Sequence, residues 1–349
     1  AAGGKDVIAS RDSLLMQINK GALAASLPEP GLGLGFKGRK SDVSAVPEVL
    51  AKVRLQVTRG ALPGVHPLKP RRLMSVRRSR WATPWEQAVL LTRYLGQLKI
   101  AAMPIPVRPR PMGQIEEAVP HGYVEAVVRV DTEDGPVWID PACSVCGVGQ
   151  MRPELWGGQA LAVGMDQIPA AQRARRVQSI DLRGDKATVS IELGGAQALR
   201  LRMALASVPI ERRAATVPRL VGFEGATLDE HTGISDRGSD IELHLTLPAD
   251  QGEVALGMGL PVIARQGSVL VDLGWPLERI DRVLVDADAP AWADLVQQQV
   301  DAGGMSWSRS VSIEGGVRTV SDRWLWTHPT VPRADAVRVL GASQDGGQR

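Results

Sequence analysis

Four residues, Thr83-Pro84-Trp85-Glu86, constrain this chain more than any other stretch of it. A hydroxyl residue followed three places later by glutamate is the pattern of a capping box. The Thr side chain accepts from the backbone N–H at the third helical position, and the Glu reaches back to the N–H of the cap. Proline at the first helical position costs nothing, because its missing N–H would have had no partner inside the helix. Ala88, Leu91, Leu95 and Leu98 then recur on one face, with Val89 and Leu90 widening it. The spacing predicts a buried helix over 84–98.

The segments around that helix sort by their periods. Extended runs are predicted at 100–107 and 123–130; in the second, Val124, Ala126, Val128 and Val130 alternate with Tyr123, Glu125 and Arg129. A polar turn over 131–135 leads into a third extended run that closes in Trp138-Ile139-Asp140-Pro141. Upstream, Leu50, Val53 and Val57 predict a helix over 47–57, ended by Gly60 and Pro63. The stretch 69–80 reads as a loop holding six basic residues and no acidic one: Lys69, Arg71, Arg72, Arg77, Arg78 and Arg80. Residues 1–44 read as an irregular segment. Gly33, Gly35 and Gly38 there spell G-x-G-x-x-G, but Pro28-Glu29-Pro30 precedes them where a dinucleotide site needs a strand, which favours a wrapping segment.

Past about residue 175 the pattern turns to short β runs: 177–182 and 187–193 around Arg183-Gly184-Asp185, an alternating 241–247, and 307–313 and 317–326 around Glu314-Gly315-Gly316. Helical stretches are predicted at 196–208, 211–221 and 291–300, and a mobile tail at 343–349. A helix followed by an antiparallel sheet is an α+β pattern. The expected organisation is therefore an irregular 1–44, an α+β core over 45–170 and a β-rich region with helical insertions over 175–342.

Composition narrows the function classes. With 349 residues, 44% hydrophobic and 23% charged, the chain can bury a core and is no disordered or fibrous sequence. The net charge is +3, and only eight of the 41 basic residues are Lys, a bias closer to that of a GC-rich genome than to a nucleic-acid surface. The basic stretch lacks a recognisable nucleic-acid module, so a solvated loop or a docking surface for an acidic partner is the better reading. The best apolar run, 253–275, is cut by Arg265, Gln266 and Asp272, so no spanning helix is expected. The start at Ala1, with neither Met nor a signal pattern, reads as a trimmed N-terminus. Histidines 66, 121, 231, 244 and 328 are scattered, which implies no metal site and no cofactor. Cys143 and Cys146 form C-S-V-C; the nearest histidine in sequence, His121, is 22 residues away, too far to make a local zinc site. Two thiols and a local disulfide both stay open, the disulfide favouring a compartment outside the cytoplasm.

The order helix, strand, strand, turn, strand, with Ala82-Thr83-Pro84-Trp85-Glu86-Gln87-Ala88-Val89-Leu90-Leu91, His121-Gly122-Tyr123-Val124-Glu125-Ala126 and Trp138-Ile139-Asp140-Pro141, resembles the core of the transglutaminase-like superfamily. That superfamily shares its fold with papain-type cysteine peptidases. The likeness is closest to a bacterial group in which the core accompanies β-rich domains, and 149–163 also looks like the family's tail. The resemblance implies acyl transfer or amide hydrolysis by a Cys thiolate at a helix N-terminus, with a His and an orienting carboxylate. Matched residue by residue, the nucleophile position falls on Pro84, or on Thr83 if the register slips by one. The His position falls on His121 or Tyr123, and the carboxylate on Asp140. A hairpin centred on 131–135 sets Asp140 across from residues near 126, so a His121–Asp140 pair requires a bulge or an irregular strand start. With no thiol at the helix start, the expectation is a catalytically inactive module that binds a protein or peptide, by a surface of Trp85, Tyr123, Arg71, Arg72, Arg77, Arg78 and Arg80. The competing expectation is an active enzyme with Cys143 or Cys146 as a relocated nucleophile.

Overall fold

The computed structural model describes residues 43–60, 68–115, 120–162, 165–169, 174–183, 186–237, 240–247, 270–272, 277–328 and 330–345, with Met16 and Lys20 besides. The glycine motif of the N-terminal segment, the Gly184-Asp185 turn and residues 346–349 lie outside them. The chain divides into two units, Ala1–Ala170 and Ala171–Arg349. Both mix helix and strand.

In the first unit, α1 (Val46–Gln56) buries Val46, Val49, Leu50 and Val53, one helical stripe. β1 (Thr58–Arg59) pairs in parallel with β2 (Trp81–Ala82). Between them the chain forms α2 (Leu73–Ser79), which corrects the loop expected over 69–80. Leu73 and Val76, one turn apart, are fully buried in the core and hold the segment helical, while Arg80 ends it in a left-handed conformation at φ 56°. Helix α3 (Pro84–Gln97) follows and buries Trp85, Ala88, Val89, Leu91, Tyr94 and Leu95.

Against α3 lies an antiparallel sheet in the order β5-β4-β3-β6-β7, formed by β3 (Ala102–Arg108), β4 (Glu125–Thr132), β5 (Gly135–Ile139), β6 (Gln159–Ala162) and β7 (Met165–Gln167). Ala102 faces Val130 and Val107 faces Glu125 across β3 and β4; Val128 faces Ile139 across β4 and β5. Ala126, Val128 and Val130 point into the core shared with α1 and α3. Val127, with Ile105, Val107 and Trp138, points into a second core that includes Met151 and Leu155. The sheet is buried on both faces, which is why its central strands carry so many apolar residues in a row.

In the second unit an eight-stranded sheet runs β10-β11-β9-β8-β13-β16-β15-β14. Its strands are β8 (Ala174–Asp181), β9 (Ala187–Gly194), β10 (Thr227–Thr232), β11 (Ile241–Leu247), β13 (Leu277–Asp286), β14 (Gln298–Ala302), β15 (Met305–Glu314) and β16 (Val317–Trp326). β13 joins β8 in parallel and every other pairing in this sheet is antiparallel. A small pair is made by β12 (Leu270–Asp272) and β17 (Thr330–Pro332). Helices α4 (Ala196–Ala206) and α5 (Ile210–Val221) pack with the β9–β11 side of the sheet, and α6 (Arg333–Asp345) with β14 and β15. Two expectations fail here. Residues 298–300 of the predicted 291–300 helix belong to edge strand β14, because pairing with β15 overrides the helix propensity of that run. The predicted tail from 343 begins inside α6, whose Ala336, Val339 and Leu340 pack with Trp324 and Trp326.

The cap of α3 is formed as the sequence predicts: Glu86 N donates to Thr83 Oγ1 at 3.2 Å and Thr83 N donates to Glu86 Oε2 at 2.9 Å. Replacing Thr83 by Ala is expected to cost about 1 kcal/mol. In a unit of this size that lowers the melting temperature by roughly 2–4 °C, measurable by calorimetry.

Candidate functional site

The helix start that the family resemblance singles out is closed by its own side chains. Glu86, 1% exposed, accepts from Arg71 N at 3.0 Å, Arg71 Nε at 2.7 Å and Arg71 Nη2 at 2.8 Å, as well as from the cap. The Arg71 guanidinium also donates to the Trp81 carbonyl at 2.9 Å and lies 3.6 Å from the centroid of the Trp81 ring. Gly60 sits against that ring: a Cβ there would come within 2.8 Å of it, so the packing requires glycine. Burial by itself raises the Glu86 carboxyl, but hydrogen bonds from Arg71 and Thr83 and the Arg71 charge outweigh it and hold the group below its ordinary range. The partial positive charge of the helix end is thereby met internally, by a carboxylate two residues past Pro84.

A second ion cluster occupies the start of β4 and the end of β5. Glu125 and Asp140, both buried, are bridged by Arg152. Its Nη2 donates to Glu125 Oε2 at 2.6 Å, and its Nε donates to Asp140 Oδ2 at 2.6 Å. Asp140 Oδ1 also accepts from Ala142 N at 3.1 Å, and Glu125 Oε1 is paired with Arg59. Burial by itself favours loss of the Arg152 proton, but Asp140 and Glu125 around it reverse that and keep the guanidinium firmly charged. From α1, Arg54 donates to three carbonyls of the following loop: Cys146 at 2.7 Å, Asp140 at 2.9 Å and Pro141 at 3.4 Å. Cys143 and Cys146 are joined in a disulfide within that loop.

The sequence-derived candidates fall as follows. Pro84 opens α3, with Thr83 as its cap. His121 lies exposed in a short 3-10 turn, Pro120–Gly122, whereas Asp140 is fully buried and its carboxylate is bound by Arg152 and Ala142. Trp85 and Tyr123 are each 2% exposed and belong to the core, which corrects their placement on a partner surface. Tyr123 also precedes β4, which begins at Glu125 rather than at 123. Arg71 is committed to Glu86. Lys69, Arg72, Arg78 and Arg80 are exposed and Arg77 is half-buried. Among the described residues, Asp140, Cys143 and Cys146 bring potential ligand atoms within 4.8 Å of one another. The sulfurs are bonded to each other and the carboxylate to Arg152, so the set offers no open metal centre.

Sequence reasoning missed the ion cluster. Glu125 stood there only as an alternating polar residue, and Arg152 only inside the quoted 149–163 tail. The one available signal was a charged residue, Glu125, at the head of a run as apolar as Ala126 to Val128.

Comparison with known proteins gives a fold and no family. No family model matches the chain, and no curated protein does. The crystal structure of a putative protease from Parabacteroides distasonis is similar, with a TM-score of 0.55 and 11% sequence identity over 97% of this chain and 57% of that one. At that identity the likeness is one of fold, a protease-like α and β arrangement, and the chain spans 57% of that protein's length.

Two measurements follow from these clusters. Because Glu86 titrates lower folded than unfolded, its stabilisation is complete above the ordinary carboxylate range and is lost as pH falls through the folded value. Glu86→Gln is therefore expected to flatten the acid limb of the stability curve, read by urea titration from neutral pH downward. Arg152→Met leaves the buried Asp140 carboxylate without a cation and Glu125 with Arg59 alone, and is expected to cost about 3–5 kcal/mol. Arg129→Met, which breaks the exposed pair with Asp131, is expected to cost about 0–1 kcal/mol in the same assay.

Proposed function

We propose that this chain is a catalytically inactive relative of the transglutaminase-like, papain-fold proteins, and that it works as a binding module for an acidic protein or peptide. The observation that carries the reading is the residue at the start of α3. Acyl transfer by this route needs a thiolate there, and Pro84 has no nucleophile. The surroundings support it. The helix end is neutralised by Glu86, and the carboxylate at Asp140, which would orient a histidine, is held by Arg152. The relocated-nucleophile alternative loses support, since Cys143 and Cys146 are 3% and 0% exposed and bonded to each other.

The binding half of the reading rests on charge. Lys69, Arg72, Arg78 and Arg80 stay exposed along and beside α2, with no acidic residue between 69 and 80. Arginine at a solvent-facing ridge suits carboxylates of a polypeptide. The aromatic anchors once expected beside it are core residues, so recognition is electrostatic and falls with salt.

Two assays test the two halves. Amide hydrolysis and transamidation on glutamine-containing peptides are expected to be absent, with or without reductant. Reductant-dependent turnover lost in Cys143→Ser or Cys146→Ser would restore the enzyme reading. A fluorescent ten-residue polyglutamate is expected to bind the wild type in a salt-dependent manner and to lose most affinity in Arg72→Glu/Arg78→Glu. Equal binding by the variant removes α2 as the docking ridge, and tight, salt-steep binding of duplex DNA instead would favour nucleic acid.

A further inference from the structure

Among the described residues of the large sheet of the second unit, two adjoining rows hold more positive than negative charge. The registers of β8, β13, β16 and β15 set Arg176, Arg279, Trp324 and Trp307 in one row across the sheet. Two residues along, they set Gln178, Asp281, Asp322 and Arg309 in the next row. Residues two apart on a strand share a face, so both rows lie on one side. All of these residues are buried except Arg176, which is half-buried.

Two of the three guanidinium groups have a carboxylate. Arg279 Nε donates to the two oxygens of Asp281 at 2.9 and 3.0 Å, and Arg309 donates to those of Asp322 at 2.6 and 2.7 Å. The hydrogen bonds of Arg176 go to neutral acceptors: Gln178 Oε1, at 3.2 Å from Nε and 2.7 Å from Nη2, and the Val221 carbonyl at 2.7 Å. Among the described residues of these two rows three cations face two anions, and the parallel register puts Arg176 directly against Arg279. Burial first, and the Arg279 charge second, push the Arg176 guanidinium down to about 10, with Asp281 offsetting part of the effect.

The unmet hydrogen bonds of these rows have one sign as well. Gln178 Nε2, Arg279 Nη2, Trp324 Nε1 and Trp307 Nε1 are buried donors without an acceptor. A buried donor left unpaired carries its full desolvation cost. Water is a poor remedy, because each water brings two protons that need acceptors and leaves the charge uncorrected. An anion supplies acceptors only.

From this juxtaposition we infer that the second unit binds one small carboxylate among Arg176, Gln178 and Arg279. A guanidinium fork matches the two oxygens of a carboxylate, Gln178 Nε2 and Arg279 Nη2 supply the further donors, and Arg176 is the member of the set that keeps partial exposure to solvent. A free carboxylate and the carboxylate end of a peptide share this chemistry, and the site is independent of the α2 ridge.

The test uses the full chain in two arms: sodium formate replacing sodium methanesulfonate at constant ionic strength, and zwitterionic triglycine added to the same methanesulfonate background. A saturable rise in melting temperature is expected with formate; a rise with triglycine as well assigns the site to peptide ends. Crystals soaked in bromide are expected to show an anomalous peak within contact distance of Arg176, Arg279 and Gln178. Arg176→Met is expected to lose both signals. Should that variant fail to fold, Gln178→Glu supplies the missing charge in place: it is expected to melt above wild type and to lose the formate response. No saturable shift in either arm, an unchanged response in Gln178→Glu, or ordered water alone at the position overturns the inference.

Discussion

The Arg152 guanidinium ties the start of β4 to the end of β5 and to the loop beyond, and the first unit is arranged so that this cation is never alone. Its two carboxylate partners approach from different strands, Glu125 and Asp140, and each takes a second donor from elsewhere, Arg59 for the first and Ala142 N–H for the second. Such a pairing is costly to bury, because each ion surrenders its hydration, and it holds only when the geometry is good and the remaining lone pairs are filled. Here they are filled. Arg54 then fastens the same loop through three carbonyls from the opposite side, so α1, β4, β5 and the disulfide loop form one cross-linked body.

On the reading proposed above, that body stands where papain-like chemistry would need mobile protons. A nucleophile activated by a helix end depends on unneutralised N–H groups, and a histidine base depends on a carboxylate free to orient it. In this chain Glu86 closes the helix end with a hydrogen-bonded carboxylate, and Arg152 pairs with the carboxylate of Asp140. Under the reading proposed above, fixed ion pairs stand where proton transfer would be needed. Glu86 and Arg152 also tie α3 and β4 to their neighbours through hydrogen bonds, which suits the proposed docking role.

How far the sequence could be read depended on whether the deciding interaction was local. The cap of α3 joins residues three apart, and the alternation of β4 is set by its own apolar residues, so both were legible. Helix α2 was not, since six basic residues hid the pair Leu73 and Val76 that buries it. The strand at 298–302 and helix α6 were missed for a related reason: their states are set by β15 and by Trp324 and Trp326, distant in sequence. At the candidate site, Asp140 could be placed from Trp-Ile-Asp-Pro, but its partner lies 12 residues on and Glu125's lies 27 on. No period or spacing rule spans those separations. The aromatic residues misled because Trp85 and Tyr123 read equally well as anchors or as core.

The preference for arginine has a structural side as well. Only eight of 41 basic residues are Lys, and among the described residues the buried cations, Arg152, Arg202, Arg279 and Arg309, are all arginines. A guanidinium carries five donors in one plane and is weakly hydrated, so it can bridge two carboxylates, as Arg152 does, or pair with one while lying near a tryptophan, as Arg279 and Arg309 do. An ammonium offers neither geometry and loses more hydration on burial. Both units thus rest on interior arginines, with one difference between them. In the first, Arg152 meets two carboxylates and is fully satisfied. In the second, the hydrogen bonds of Arg176 among the described residues go to neutral acceptors, and the donors around it stay unfilled. The residues that carry that imbalance are held in register by the ladders of β8, β13, β16 and β15, and strands cannot shift without breaking those ladders. A carboxylate bound as inferred above would therefore offset the cost with no rearrangement of the sheet.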